Sequence, residues 1–442
     1  MRRVVLVLFS AFLLVVLFGV GFTYVQGGSE AVERRVAAVP AYARTYLRSL
    51  RPAPVLPTPP PVPAERRAAL LQTHLPTVMP TAFPPATMPP TFTPLPSLPA
   101  PATQAPLPSE TPTAEPSPSP TPTASATPFP LTPVAPGVSL DGVTYHAQMW
   151  NNCGPATLTM NLSYYGIGEH QRVGAAFLKP NADDKNVSPD QLLAYAYQHG
   201  LDGVVRSGGD LNLLRRFIAN GFPVIVETWI EPDDHGGMGH YRLLTAYDEG
   251  TFTAQDSYYG PNRRLYGQEL DLGWRVFNHK FIVLFPPEER EVVEALLGPL
   301  VDDETMYTST LRTAQEEAAA APDDVFAWFN LGTAYTRLNQ PEAAADAFDE
   351  ARRIGLPLRM LWYQFEPFEA YLAVGRYDDV IELGYVTAYT ASGHEEAYFY
   401  EALGYLGKGN LEMTVSRLRK ALDYNPNYEP AAAALDEIGA SP

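Results

Sequence analysis

One thiol, one imidazole and one carboxylate carry most of the chemistry that this sequence offers. Cys153 is the only cysteine in 442 residues and stands in Gln148-Met149-Trp150-Asn151-Asn152-Cys153-Gly154-Pro155-Ala156. Proline suits the first turn of a helix, where its missing N–H is not needed. Leu158, Met160, Leu162 and Tyr165 then supply apolar positions, and Gly166 is a C-cap. Cys153 is therefore expected at or just before a helix N-terminus, where the dipole and the unpaired N–H groups favour thiolate over thiol. A thiolate attacking a carbonyl also needs a base and an oxyanion donor. Gln148, five positions upstream, can offer its side-chain NH2 as that donor. The plainer reading of a lone cysteine is a small buried hydrophobe.

The base and its partner come from the second half of the same domain. Val187 to Tyr197 opens with a capping box (Ser188, Gln191) and Pro189 at the first helical position, and Asp210 caps a helix that Asn220-Gly221 closes. From Phe222 the texture changes to strands: 223–230, 241–247, 251–256 and 280–285, with Asp248-Glu249-Gly250 as a hairpin turn. Helices first and a largely antiparallel sheet second predict an α+β domain. His240 follows a glycine-rich loop and opens one strand; Asp256 closes the next. Antiparallel pairing sets the start of one beside the end of the other, so the carboxylate can accept from the imidazole and fix its tautomer.

Other candidates carry less. His146 reads as a strand or loop residue. Asp233-Asp234-His235 are three neighbours on one loop and cannot surround an ion, so no metal and no cofactor is expected. His279 lacks an acid at strand spacing. Trp150 can wall a cleft or pack in the core, and Tyr258 to Asn262 are placed as a cleft rim.

Gln-x4-Cys-Gly-Pro-Ala, a later Gly-His-Tyr opening a strand and an Asp ending the next strand resemble the peptidase C39-like family, which includes the bacteriocin-leader processing peptidases. That resemblance implies a papain-like cysteine peptidase fold over 138–287. It implies Cys153 as nucleophile, His240 as general base and acid, Asp256 as the residue orienting the imidazole, and Gln148 as oxyanion donor. Asn152 stands where many members carry Asp.

The rest of the chain suggests how such a domain is held. Residues 4–25 are uncharged and almost wholly apolar, long enough for a membrane-spanning helix, so 1–28 is read as an uncleaved membrane anchor. Of 45 prolines, 28 fall between Pro52 and Pro136, which leaves a foldable part much shorter than the chain. Residues 29–137 are read as a disordered Pro/Thr/Ser-rich stalk. Such a spacer suits a domain on the outer face, so the expected location is the cell membrane, single-pass, with the catalytic domain extracytoplasmic. Residues 288–442 read as all-α. Trp328, Leu331, Gly332, Tyr335, Ala344, Phe348 and Ala351 resemble a tetratricopeptide unit, with further units from about 361, degenerate, and 395. Stacked units of that kind offer a surface to a protein or peptide partner. A net charge of -18 argues against nucleic acid.

The expectation is a membrane-anchored cysteine peptidase acting on a peptide or protein. The alternatives are a non-catalytic peptide-binding surface scaffold and a cell-wall peptide amidase of the same papain-like class.

Overall fold

The computed structural model describes residues 57–72, 131–232, 237–391 and 393–440. The apolar run at 4–25 lies outside these, and no helix among the described residues is long and apolar enough to cross a membrane.

The proline-rich region is not a spacer throughout. Ala64–Leu70 forms a helix, α1, and Leu70 is buried against the C-terminal helices. The stalk reading of 29–137 is thus corrected at 57–72. Val62, Leu70 and Leu71 give this stretch apolar surface to bury, which the Pro/Thr repeats lack. The sheet domain also starts earlier than 138: Thr132 N–H donates to Asn220 Oδ1 at 2.7 Å, and Leu131 packs on the core.

Seven antiparallel strands form one sheet: β1 Val138–Ser139, β2 Asp202–Arg206, β3 Val224–Ile230, β4 Met238–Tyr247, β5 Thr251–Asp256, β6 Gly260–Tyr266 and β7 Phe281–Phe285. Their order is β2-β7-β3-β4-β5-β6, with β1 beside β4. Side chains alternate between faces along a strand, and β3 shows what this achieves. Val224 and Val226 enter one apolar cluster, with α5 (Leu211–Ala219) and Phe281, Val283 and Phe285. Ile225, between them, enters another, with α2 (Cys153–Tyr164), α4 (Pro189–Gln198), Ile282 and Leu284. Helices therefore cover both faces, and every residue of β3 is buried.

The expected strands and caps are present, including both hydrogen bonds of the Ser188–Gln191 capping box. β2 and β6 were not foreseen. β6 reads Gly-Pro-Asn-Arg-Arg-Leu-Tyr, with the charged, solvated residues of a protected sheet edge rather than apolar alternation. The helix α3 (Gln171–Leu178) was also not foreseen, and α6 (Gly267–Trp274) joins β6 towards β7.

The C-terminal region is helical. It runs through α7 Arg290–Leu297, α8 Asp303–Ala320, α9 Val325–Arg337 and α10 Pro341–Ile354. α11 Glu366–Ala373, α12 Tyr377–Ala391, α13 Glu395–Gly407, α14 Leu411–Tyr424 and α15 Glu429–Glu437 follow. Where the second repeat was expected, a short 3-10 turn (Leu358–Trp362) precedes the eight-residue α11. Within the first pair the helices approach closely: a Cβ on Gly332 would lie 2.6 Å from the Phe348 ring.

Sheet and helices share apolar contacts. Trp229, Val276 and Phe277 belong to the same core cluster as Trp328 and Phe329. Polar contacts add to them: Asn330 Nδ2 donates to Arg275 O at 2.6 Å, Lys185 Nζ to Ala391 O at 2.7 Å, and Asn186 Nδ2 to Glu396 Oε1 at 3.2 Å.

Candidate active site

Cys153 is the first residue of α2, half-buried. The loop that leads to it is clamped from α3. Gln171, 2% exposed, accepts at Oε1 from Met149 N and from Asn152 Nδ2, both at 2.8 Å, and donates from Nε2 to Ala147 O at 2.8 Å. Buried Lys179 donates to Asn151 O at 2.7 Å and to Asp184 O at 2.5 Å. Asn151 sits at φ 51, a left-handed conformation that asparagine tolerates better than most residues. The sulfur is thus presented by a loop whose polar atoms are bound on its inner side.

The β4–β5 register pairs Leu243 with Gln255. One step further sets Arg242 across from Asp256, and His240, two residues along, shares that face of the strand. His240 Nε2 lies 2.9 Å from Asp256 Oδ1, and Arg242 Nε donates to Oδ2 at 2.8 Å. The N–H groups of Tyr258 and Tyr259 also donate to Oδ1, both at 2.9 Å. Burial alone would raise the Asp256 carboxyl. The His240 ring, the Arg242 guanidinium and the Tyr259 N–H outweigh it and hold the carboxyl well below the usual range.

With Nε2 given to Asp256, Nδ1 is the ring nitrogen left for sulfur, and each group shifts the ionisation of the other. Burial would depress the imidazole; the Asp256 carboxylate and the Cys153 sulfur overcome it and push His240 up to about 9. Burial likewise opposes ionisation of Cys153, but the His240 ring, the Tyr241 N–H and the Lys179 ammonium bring the thiol below its ordinary value. Both shifts favour a thiolate facing an imidazolium.

Gln148 is tied to the far end of β5. Its N–H donates to Ser257 O at 2.9 Å, and Ser257 Oγ donates to Gln148 Oε1 at 2.9 Å. That bond takes the oxygen end of the amide, the end that an oxyanion donor does not need.

The other candidates fall away from this group or beside it. His279 Nε2 lies 3.0 Å from Asp271 Oδ1, in a separate polar cavity of about 300 Å³ that Asp210, Glu317 and Asn330 also line. The His146 ring meets His170 edge-on, 5.7 Å between centroids. Trp150 is half-buried, and Asp233 to His235 lie outside the described residues. Tyr258 and Tyr259 are exposed beside the site, the Tyr258 ring 6.2 Å from that of His240.

Several residues here escaped the sequence reading. Arg242 was legible, since period 2 places it with His240. Gln171 and Lys179 carried no local signal. The helical region supplies two more: Arg359 Nη1 donates to Gly237 O at 3.3 Å, and the Tyr363 ring lies against Gly239, where a Cβ would come within 3.0 Å of it. Burial and the Cys153 charge push the Tyr363 phenol above its ordinary range. The helices thus contribute a wall to the sulfur's surroundings.

A thiol at a helix start and an imidazole that a buried carboxylate holds are the groups that nucleophilic thiol chemistry uses. Residues 140–279 match the model of the Peptidase_C39 like family. No curated protein matches the chain. Similar solved structures include a C39-like peptidase from Bacillus anthracis, 18% identical with a TM-score of 0.28, covering 34% of this chain and 96% of that one. The peptidase domain of Streptococcus ComA, a bi-functional ABC transporter involved in quorum sensing, is 17% identical with a TM-score of 0.28, covering 33% and 99%. A double glycine motif protease from an AMS/PCAT transporter, solved with its leader peptide, is 20% identical with a TM-score of 0.26, covering 34% and 94%.

Proposed function

We propose that the chain is a cysteine peptidase in which Cys153, His240 and Asp256 act as a triad and Gln148 is the oxyanion donor. The observation that carries this reading is the buried His240 ring, 2.9 Å from Asp256 Oδ1 and near enough to Cys153 that each shifts the other's ionisation. The Cys153 thiolate attacks the peptide carbonyl, and the carbonyl oxygen takes up the negative charge beside the Gln148 NH2. As the tetrahedral adduct collapses, the C–N bond breaks and the imidazolium gives its proton to the leaving amine. His240 then takes a proton from water, hydroxide adds to the thioester, and the thiolate leaves with the carboxylate product. Asp256 keeps the ring oriented throughout and compensates its charge.

In the same proposal 4–25 anchors the chain in the cell membrane with the peptidase domain outside the cytoplasm. The helical region, a set of tetratricopeptide units, binds a protein or peptide. Incubating the chain with a peptide library and with cell-wall fragments tests the chemistry. Cleavage of peptides, lost together with thiol-probe labelling in Cys153→Ala, is the expected result. Cleavage of wall fragments alone would make it a wall peptide amidase. Tight peptide binding with no turnover would make it a scaffold.

A further inference from the structure

Residues 57–72 lie on a face of the helical region that is built for them. α1 turns Leu70 inward, and Pro59 and Leu70 are both buried there. The last carbonyl of α1 is met by two buried side chains: Tyr335 Oη donates to Leu70 O at 2.7 Å and Gln315 Nε2 donates to the same oxygen at 3.0 Å. Gln315 is 6% and Tyr335 5% exposed, and Gln315 Nε2 also donates to Tyr335 Oη at 3.1 Å. Departure of the segment without water replacing it would therefore leave the Tyr335 hydroxyl proton without its acceptor, while Gln315 keeps one partner. Ahead of them the two arginines of α1 meet acids. Arg66 Nη2 lies 2.5 Å from Asp346 Oδ2. Arg67 reaches Glu350 at 3.6 Å, donates to Pro322 O at 3.2 Å, and sits 5.0 Å over the Trp328 ring. At the segment's start Arg352 Nη2 donates to Pro57 O at 3.1 Å. Every contact comes from α8, α9, α10 or the turn between α8 and α9, and each spans more than two hundred positions in sequence.

This combination is that of a peptide in a groove, not of a helix belonging to the stack. The segment is short, led by prolines that pre-set its extended entry at little entropic cost. Most of its residues are exposed, and a few anchors make its contacts. We infer that the face made by Gln315, Trp328, Tyr335, Asp346 and Glu350 is a peptide-binding groove whose resident ligand is residues 57–72 of the same chain. The ligand chemistry is explicit: a proline-led turn of helix with two adjacent arginines and a leucine three residues later. The groove reads it with two carboxylates, an aromatic face for the guanidinium, and two donors on the carbonyl of that leucine. The consequence is mechanical as well as chemical. Residues 57–72 are held by the helical region, and along the chain residues 73–130 link that clasp to the sheet domain. A second peptide of the same pattern would compete for the groove.

This inference rests on reading the helical region as a peptide-binding array, and it fails separately from that reading. A site-specific protease sequence between residues 100 and 101 of the full chain, handled in detergent, allows the connection to be cut. The two fragments should stay together at low salt. Excess synthetic peptide of residues 57–72 should release the N-terminal fragment, and the same peptide carrying R66E and R67E should do so roughly ten- to a hundredfold less well, as expected for lost charge-assisted bonds. In a chain carrying R66E, R67E and L70A the fragments should part on cleavage, with the heat-unfolding transition of the sheet domain retained. Wild-type fragments that separate at once, or variant fragments that stay together, would overturn the clasp. External peptides that bind while the N-terminal fragment stays put would keep the array reading and sink this one.

Discussion

His240 is worth most attention among single residues, because its two nitrogens have different employers. Nε2 faces Asp256 and the sulfur takes the other side, so the ring stays charged up to about pH 9. The sign follows from that shift: a raised imidazole keeps the ion pair as pH rises until the ring loses its proton. We therefore expect kcat/KM to rise as Cys153 ionises, at a pH below that of an ordinary thiol, and to fall again near pH 9. Asp256→Asn removes the charge that lifts the ring, so the alkaline limb should move to lower pH and kcat should drop on the order of 10²–10⁴-fold. An unmoved alkaline limb in that variant would remove Asp256 from the proposed triad. Asp256 itself works in the opposite sense for stability. Its depressed carboxyl stabilises the fold above the ordinary carboxylate range, and that contribution is lost as pH falls.

At the scale of elements, the loop from Ala147 to Asn152 depends on a side chain of α3. Gln171 satisfies three polar groups of that loop; truncating it leaves Asn152 Nδ2 unpartnered in a buried place, at about 1–3 kcal/mol, and Met149 N and Ala147 O in part-buried ones that water can partly recover. Gln171→Ala should therefore lower the unfolding midpoint and slow thiol-probe labelling of Cys153, measured by calorimetry and mass spectrometry. Labelling at the wild-type rate would show that α2 presents the sulfur without help. The helix start has a different kind of support. Asn152 makes no side-chain cap to α2 and spends its amide on Gln171 instead. An asparagine placed where its side chain could cap the helix is thus used for a contact 19 residues away.

For the whole molecule, the decisive contact is the one between sheet and helices. Phe277 is fully buried, its ring 6.4 Å from that of Trp229 and 6.3 Å from that of Tyr363. Phe277→Ala should cost about 3–5 kcal/mol and should loosen the wall beside Gly239 as well as the fold. Calorimetry should show it as a lower first transition, and hydrolysis should fall with it. Tyr363→Ala is the gentler probe of the same wall. If the ring borders the substrate path, KM should change by about threefold or more with the pH profile unmoved, a shift of at least about 0.6 kcal/mol. Unchanged kinetics across a peptide series would confine Tyr363 to packing.

What the sequence determined by itself is what short-range geometry encodes. A proline two places after Cys153, a capping box at Ser188 and the hairpin at Asp248 each act within a few residues. Period 2 on either side of that hairpin was enough to bring His240 to Asp256, and Arg242 was within the same logic. β2 and β6 escaped because one, Asp-Gly-Val-Val-Arg, has only two apolar residues between charged ends and the other is a polar edge, so neither shows the pattern that a half-buried strand leaves in a sequence. Only the tertiary structure decided that Gln171 and Lys179 hold the loop before Cys153, that Tyr363 stands against Gly239, and that 57–72 is bound rather than loose. Each of those rests on side chains far apart in the chain, Arg352 and Pro57 by 295 positions. No local pattern announces such a partner, because the free energy that selects it arises only when two already folded surfaces bury the same groups.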